Sequence, residues 1–165
     1  MALLNKTAQA CLDVFIYLTI FTVVVLATTI VLHELGHFFV GIGEGCKAEI
    51  ILLSTESAGT FTRLECNFIS NPILLYMSAF LLVIPFALSF ILFFKDLPER
   101  NFGIMILGVG IFSAAHDMKI LTGLEASSFM SFLAGIIIYT IGQFLLAERA
   151  FVRFEEKIMR GEVEW

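Results

Sequence analysis

Charge is what this chain has least of. Only 15% of its 165 residues are Asp, Glu, Lys or Arg, where a soluble domain carries roughly a quarter. The net charge is −5 and the pI near 5.1, which argues against nucleic acid as a partner, since that calls for a basic patch. None of the common nucleic-acid motifs is present either. Cysteine is scarce, and Cys11, Cys46 and Cys66 lack the C-x-x-C type of spacing, so a cysteine-built metal ribbon is excluded. Cys46 and Cys66 are free to pair if their loop faces an oxidising compartment, and equally free to remain thiols. A cleavable signal is not expected: Ala2 to Asp13 is too polar, and the apolar run after it far exceeds a signal h-region. No internal repeat or low-complexity segment occurs.

What fills the chain instead is apolar. Hydrophobic residues make up 59% of it, 18 of them phenylalanine, and the mean hydropathy is +0.94. These values predict an all-α, polytopic integral membrane protein forming a single domain over 1–165. About four transmembrane helices are expected, at 14–42, 72–94, 102–124 and 128–147. Asn71-Pro72 is a good start for the second, cap then proline in the first turn, and Pro85 is placed to kink it. Gly103, Gly108 and Gly110 in the third allow close helix approach. Ser127 or Ser128 is expected to cap the fourth, with Tyr139 and Gln143 making interhelical hydrogen bonds. The tail, 148–165, alternates charge sign and keeps Phe151, Phe154 and Ile158 at helical spacing, as an interfacial amphipathic helix does.

The loop at 44–70 is the one sizeable polar stretch between spans. Glu49 to Ser54 is rich in strand formers, and STESAG (54–59) has turn chemistry. From Thr60 the residues alternate, Leu64, Cys66 and Phe68 against Arg63, Glu65 and Asn67. That period of two predicts a small β-hairpin between helices 1 and 2; an irregular surface loop is the alternative.

Chemistry concentrates at His33-Glu34-Leu35-Gly36-His37. From Val14 to Leu32 there is no charged residue; then two histidines and a glutamate interrupt a run that continues through Phe38 and Phe39. On a helix, His33 and His37 are four apart and share a face. H-E-x-x-H at that spacing is a zinc site, with both imidazoles as ligands and the glutamate as general base. An intramembrane glutamate is also costly enough to be functional by default. A second costly feature, His116-Asp117, lies near the end of the third span. Measured from the span centres at 1.5 Å per residue, the motif sits about 10 Å and Asp117 about 6 Å beyond the midplane. Spans one and three cross in the same direction, so both clusters fall on one side, where the hairpin loop also opens. One shared site accounts for both.

On these residues the chain resembles the site-2 protease family of intramembrane zinc metalloproteases, in a small and divergent form. That family carries H-E-x-x-H on one transmembrane helix and an aspartate ligand on a helix two spans later, with strands between its first two core helices. The resemblance covers roughly residues 14 to 124, its specific part being His33, Glu34, His37 and Asp117. It implies Zn2+ as cofactor, held by His33, His37 and Asp117, and Glu34 as the base that activates a zinc-bound water against a peptide bond. The implied substrate is a membrane protein or peptide segment. The family's aspartate usually lies in a Leu-Asp-Gly setting, however, and here the neighbours are Ala-Ala-His-Asp-Met-Lys. His116 therefore stays open as an alternative third ligand, or as an oxyanion or orienting group. Metzincins want glycine at position 40 and histidine at position 43, where this chain has Val40 and Gly43.

A metal-binding or metal-transporting membrane protein that cleaves nothing would use the same ligands, and is the rival expectation. Seven basic residues fall on the side of the termini (Lys6, Lys95, Arg100, Arg149, Arg153, Lys157, Arg160) and three on the other (Lys47, Arg63, Lys119). The positive-inside rule then puts the termini in the cytoplasm of a multi-pass cell-membrane protein, whereas the family pattern usually puts the site near the cytosol. Oligomeric state is not legible.

Overall fold

A computed structural model describes residues 2–54, 59–94 and 97–160. Helix α1 runs over Ala2–Gly43, 42 residues, or about 63 Å at 1.5 Å per residue. It starts well before the expected residue 14, because nothing between Ala2 and Asp13 breaks a helix. Three of its threonines close on their own helix: Thr19, Thr22 and Thr29 each donate to the carbonyl four residues back, at 2.8 Å, which satisfies those hydroxyls in an apolar setting. Gly45, at φ 78°, ends the helix, and Cys46 N–H donates to the Gly41 carbonyl at 2.9 Å.

The chain then forms the expected hairpin. Strands β1 (Lys47–Ser54) and β2 (Gly59–Glu65) pair antiparallel, with Lys47 opposite Glu65 and Ile50 opposite Thr62, and an irregularity between Ile51 and Ser54. A Cys46–Cys66 disulfide closes the open end of this ladder. Leu64 sits against Gly41, laying the hairpin over the end of α1. The alternation stops earlier than the sequence suggests: β2 ends at Glu65, and Phe68 is 77% exposed. The centre of the expected STESAG turn lies outside the described residues.

Helix α2 (Pro72–Phe93) begins as predicted, with the Asn71 side chain accepting from Leu74 N–H at 3.0 Å, and continues through Pro85. Glu44 fastens its start to the end of α1 by accepting from the Ser70 N–H and hydroxyl and from Asn71 N–H. Those donors stabilise the carboxylate and hold the Glu44 pKa below its ordinary value. The buried side of α2, Leu75, Ser78, Ala79, Val83 and Ala87, faces the bundle.

The expected single third span is instead two helices, α3 (Leu97–Ser113) and α4 (Ala115–Thr122), meeting at an angle of 43°. Gly110 and Ser113 occupy the last turn before the break, and the Ser113 hydroxyl donates to the Gly110 carbonyl at 2.9 Å. Helices bend at such Gly and Ser positions. Helix α5 (Glu125–Met159) then runs unbroken for 35 residues. The expected boundary between a fourth span ending at 147 and a separate tail helix is therefore absent, and Ser127 lies inside the first turn of α5 rather than capping it. Residues 161–165 are outside the described part of the chain.

Counting the bent pair as one, four segments are long and apolar enough to cross a membrane. Their outward surface is apolar, with Phe15, Ile20, Phe93 and Phe144 all 60% exposed or more, as lipid contact requires. The core comprises Val25, Val83, Ala87, Met105, Ile106, Val109 and Leu146. Helices α3 and α5 cross at Gly108 and Gly135, where an added methyl on either would overlap the other's backbone. Tyr139 and Gln143 reach across to the Thr22 hydroxyl, as expected.

Candidate metal centre

Helix α1 carries His33 and His37 on the face it turns to α2 and α4. Gly36, between them, is where α1 comes closest to α2: a methyl there would overlap the Ser78 carbonyl. The bend after Ser113 turns α4 so that Asp117 meets both rings. Asp117 Oδ2 lies 3.5 Å from His33 Nε2 and 3.3 Å from His37 Nε2, and the three ligand atoms all lie within 4.8 Å of one another. His33, Glu34 and Asp117 are each at most 9% exposed.

The second nitrogen of each ring shows which tautomer is present. His37 Nδ1 lies 3.1 Å from the Leu75 carbonyl and 2.9 Å from Ser78 Oγ. A carbonyl can only accept, so Nδ1 carries the proton. The Ser78 hydroxyl gives its own proton to the Leu75 carbonyl, which leaves its oxygen to accept as well. His33 repeats the scheme with one partner: its Nδ1 lies 3.0 Å from Ser113 Oγ, whose proton goes to Gly110 O. In the neutral rings Nε2 is then the lone-pair nitrogen, turned toward Asp117.

Two lone pairs and a carboxylate oxygen thus point at one spot. Asp117 Oδ2 is buried and accepts no hydrogen bond, an arrangement that is repulsive until a cation enters. Tetrahedral ligands ~2.05 Å from a common ion lie about 3.3 Å apart, close to the two separations present. The residues fit a divalent metal with nitrogen and oxygen ligands. Metal-binding imidazoles usually give their outer N–H to a carboxylate, a backbone carbonyl or water; here the Leu75 carbonyl does this for His37, and a serine hydroxyl stands beside each ring.

Glu34, one residue on from His33, is held from the hairpin. Thr62 of β2 donates to Glu34 Oε2 at 2.8 Å and lies 3.0 Å from the Glu34 carbonyl. Among the described residues no protein donor reaches its other oxygen. His116 is exposed and lies outside the group, since adjacent helical residues diverge by about 100°. The sequence reading missed Ser78, Ser113 and Thr62. For the serines the available signal was a hydroxyl inside an apolar span; for Thr62 it was a polar residue in the strand expected to lie over the site.

The fold and the site together define a polytopic helical membrane protein with a buried His-His-Asp group able to hold a metal ion. No family model, curated protein or solved structure matches the chain.

Proposed function

We propose that this protein is a zinc-dependent intramembrane endopeptidase of the cell membrane, with Glu34 as general base and a membrane segment of another protein as substrate. The convergence of His33 Nε2, His37 Nε2 and Asp117 Oδ2, with a carboxylate beside them that is not part of the group, carries this reading. A zinc ion, when bound, would supply Lewis acidity toward a peptide carbonyl and toward water. Glu34 takes the proton from the attacking water on the oxygen that Thr62 leaves free, and returns it to the leaving amine. The Thr62 hydrogen bond fixes the carboxylate in one orientation. Ser78 and Ser113 hold both imidazoles turned with Nε2 toward Asp117. The apolar helices around the site exclude bulk water and favour a substrate that arrives through the membrane.

The test is Glu34→Gln. Glutamine keeps the size and the Thr62 hydrogen bond but cannot accept a proton. Zinc content should match the wild type, while cleavage of a membrane-embedded test substrate falls by ~10²–10⁴, the usual worth of general-base help. A wild type that binds zinc and cleaves none of several candidate substrates, with the variant handling metal identically, would favour the metal-binding rival.

A further inference from the structure

A cavity lies at the end of the bundle away from the metal centre. It measures about 450 Å³ and is lined by Tyr17, Phe21, Phe90, Phe102, Glu99 and Arg153 among others. Tyr17 precedes His33 by sixteen residues, about 24 Å along α1, so the cavity and the metal centre lie toward opposite ends of the spans. The surrounding elements agree: the apolar part of α2 ends at Phe93, that of α3 begins at Pro98, and that of α5 ends at Arg153.

Three features of this cavity point to one ligand chemistry. Its wall is aromatic, with Phe102 edge-on to Phe21 and Phe90 at ring distances of 5.5 and 5.0 Å and Tyr17 tilted on Phe21 at 5.9 Å. Glu99 lines it, and the Oε2 of that carboxylate is buried without a hydrogen-bond partner among the described residues. Arg153, exposed at the rim, forms no ion pair among the described residues. A buried carboxylate oxygen beside aromatic rings wants a cation that can also donate hydrogen bonds. An unpaired guanidinium at the boundary wants a phosphate.

We propose that this cavity binds the headgroup of a phospholipid bearing a primary ammonium, of the phosphatidylethanolamine type. The ammonium donates to Glu99 Oε2 and lies against the aromatic wall, the phosphate meets Arg153, and the acyl chains follow the apolar surface of α1 and α2. A choline headgroup offers the same charge and phosphate but no N–H, so it leaves Glu99 Oε2 unsatisfied. The proposal does not depend on peptidase activity or on metal.

Native mass spectrometry of the full-length, delipidated protein tests it by titration with phosphatidylethanolamine, phosphatidylcholine and phosphatidylglycerol. One phosphatidylethanolamine should be retained about tenfold more tightly than phosphatidylcholine, the difference expected of one charge-assisted hydrogen bond. Glu99→Gln should bring that ratio close to one. Arg153→Gln, at an exposed position that leaves the fold intact, should weaken both lipids alike. A wild-type ratio near one, a ratio unchanged in Glu99→Gln, or phosphatidylglycerol held best would each overturn the proposal. Helical circular dichroism and monodisperse elution check that the variants are folded; if Glu99→Gln fails there, the wild-type ratio decides, together with Arg153→Gln, whose unchanged retention of both lipids would overturn the phosphate contact.

Discussion

Ser113→Ala should damage metal binding more than Ser78→Ala, although both serines hold the outer nitrogen of a histidine in the same group. The asymmetry follows from what each ring keeps. Without the Ser78 hydroxyl, His37 Nδ1 still has the Leu75 carbonyl at 3.1 Å. Without the Ser113 hydroxyl, His33 Nδ1 has no other acceptor among the described residues. A buried N–H left unpaired costs about 1–3 kcal/mol, and at 1.4 kcal/mol per decade that is roughly 5- to 150-fold in affinity. Loss of such outer hydrogen bonds generally weakens metal binding by ~10–100-fold, so the two estimates agree. Ser78→Ala, by contrast, exchanges two acceptors for one and should cost only a few-fold. Competition for zinc against a chromophoric chelator, with the protein in detergent, measures both constants. Equal losses, or a larger loss for Ser78→Ala, would refute the assignment of Nδ1 as donor in both rings.

Three further outcomes are expected. Asp117→Ala should strip the metal while the helices stay folded, and His116→Ala should leave metal stoichiometry unchanged by elemental analysis; the reverse pattern would reassign the third ligand. Glu44 has a lowered pKa in the fold, so its contribution is present above the ordinary carboxylate value, ~4.3, and is lost as pH falls through the lower folded value. Hydrogen exchange at Ser70 and Asn71, corrected for intrinsic rates, should show protection failing on acidification in the wild type and no such step in Glu44→Gln. The seven-to-three basic bias predicts the hairpin outside and the termini in the cytoplasm; after mild reduction of the Cys46–Cys66 bond, an impermeant thiol reagent should label both cysteines on intact cells, and protection of both would reverse the orientation.

Much of this site was legible because intramembrane polarity is expensive. The four-residue spacing of His33 and His37 fixes a shared face, and simple depth counting brings Asp117 to the same level. The hairpin was legible from period-two alternation as far as Glu65. The break at Ala114 was not. Gly110 and Ser113 permit a bend without requiring one, and Ser113-Ala114-Ala115 holds no proline to stop the helix, so packing decides that the chain turns there. For the same reason α5 was read as two pieces: Ala147 and Glu148 change composition without breaking a helix, so a shift from apolar to charged was mistaken for an end. Ser78 and Ser113 were passed over because a serine in an apolar span can satisfy itself on its own helix, as both also do. Nothing local distinguishes a self-satisfied serine from one that also holds a histidine.

The polar groups that remain unsatisfied sort the bundle more sharply than those that are paired. Thr19, Thr22 and Thr29 close onto carbonyls, Tyr139 and Gln143 close onto Thr22, Asn71 takes up the Leu74 amide in the first turn of α2, and Glu44 the two amides just before it. Against that background, Asp117 Oδ2 and Glu99 Oε2 are buried oxygens without donors among the described residues, one toward each end of the spans. Leaving a carboxylate oxygen bare costs more than leaving a hydroxyl bare, because the penalty is larger for charge. Asp117 faces two imidazole lone pairs, a geometry that only a metal or a proton relieves. Glu99 faces aromatic rings and an arginine at the lipid boundary, where an ammonium relieves it. A third orphan, Asn101 Nδ2, has no such surroundings, and nothing in the structure explains it. The two carboxylates are therefore the informative pair, and they predict different ligands because their neighbours differ in kind: lone pairs at one end, π-faces and a guanidinium at the other.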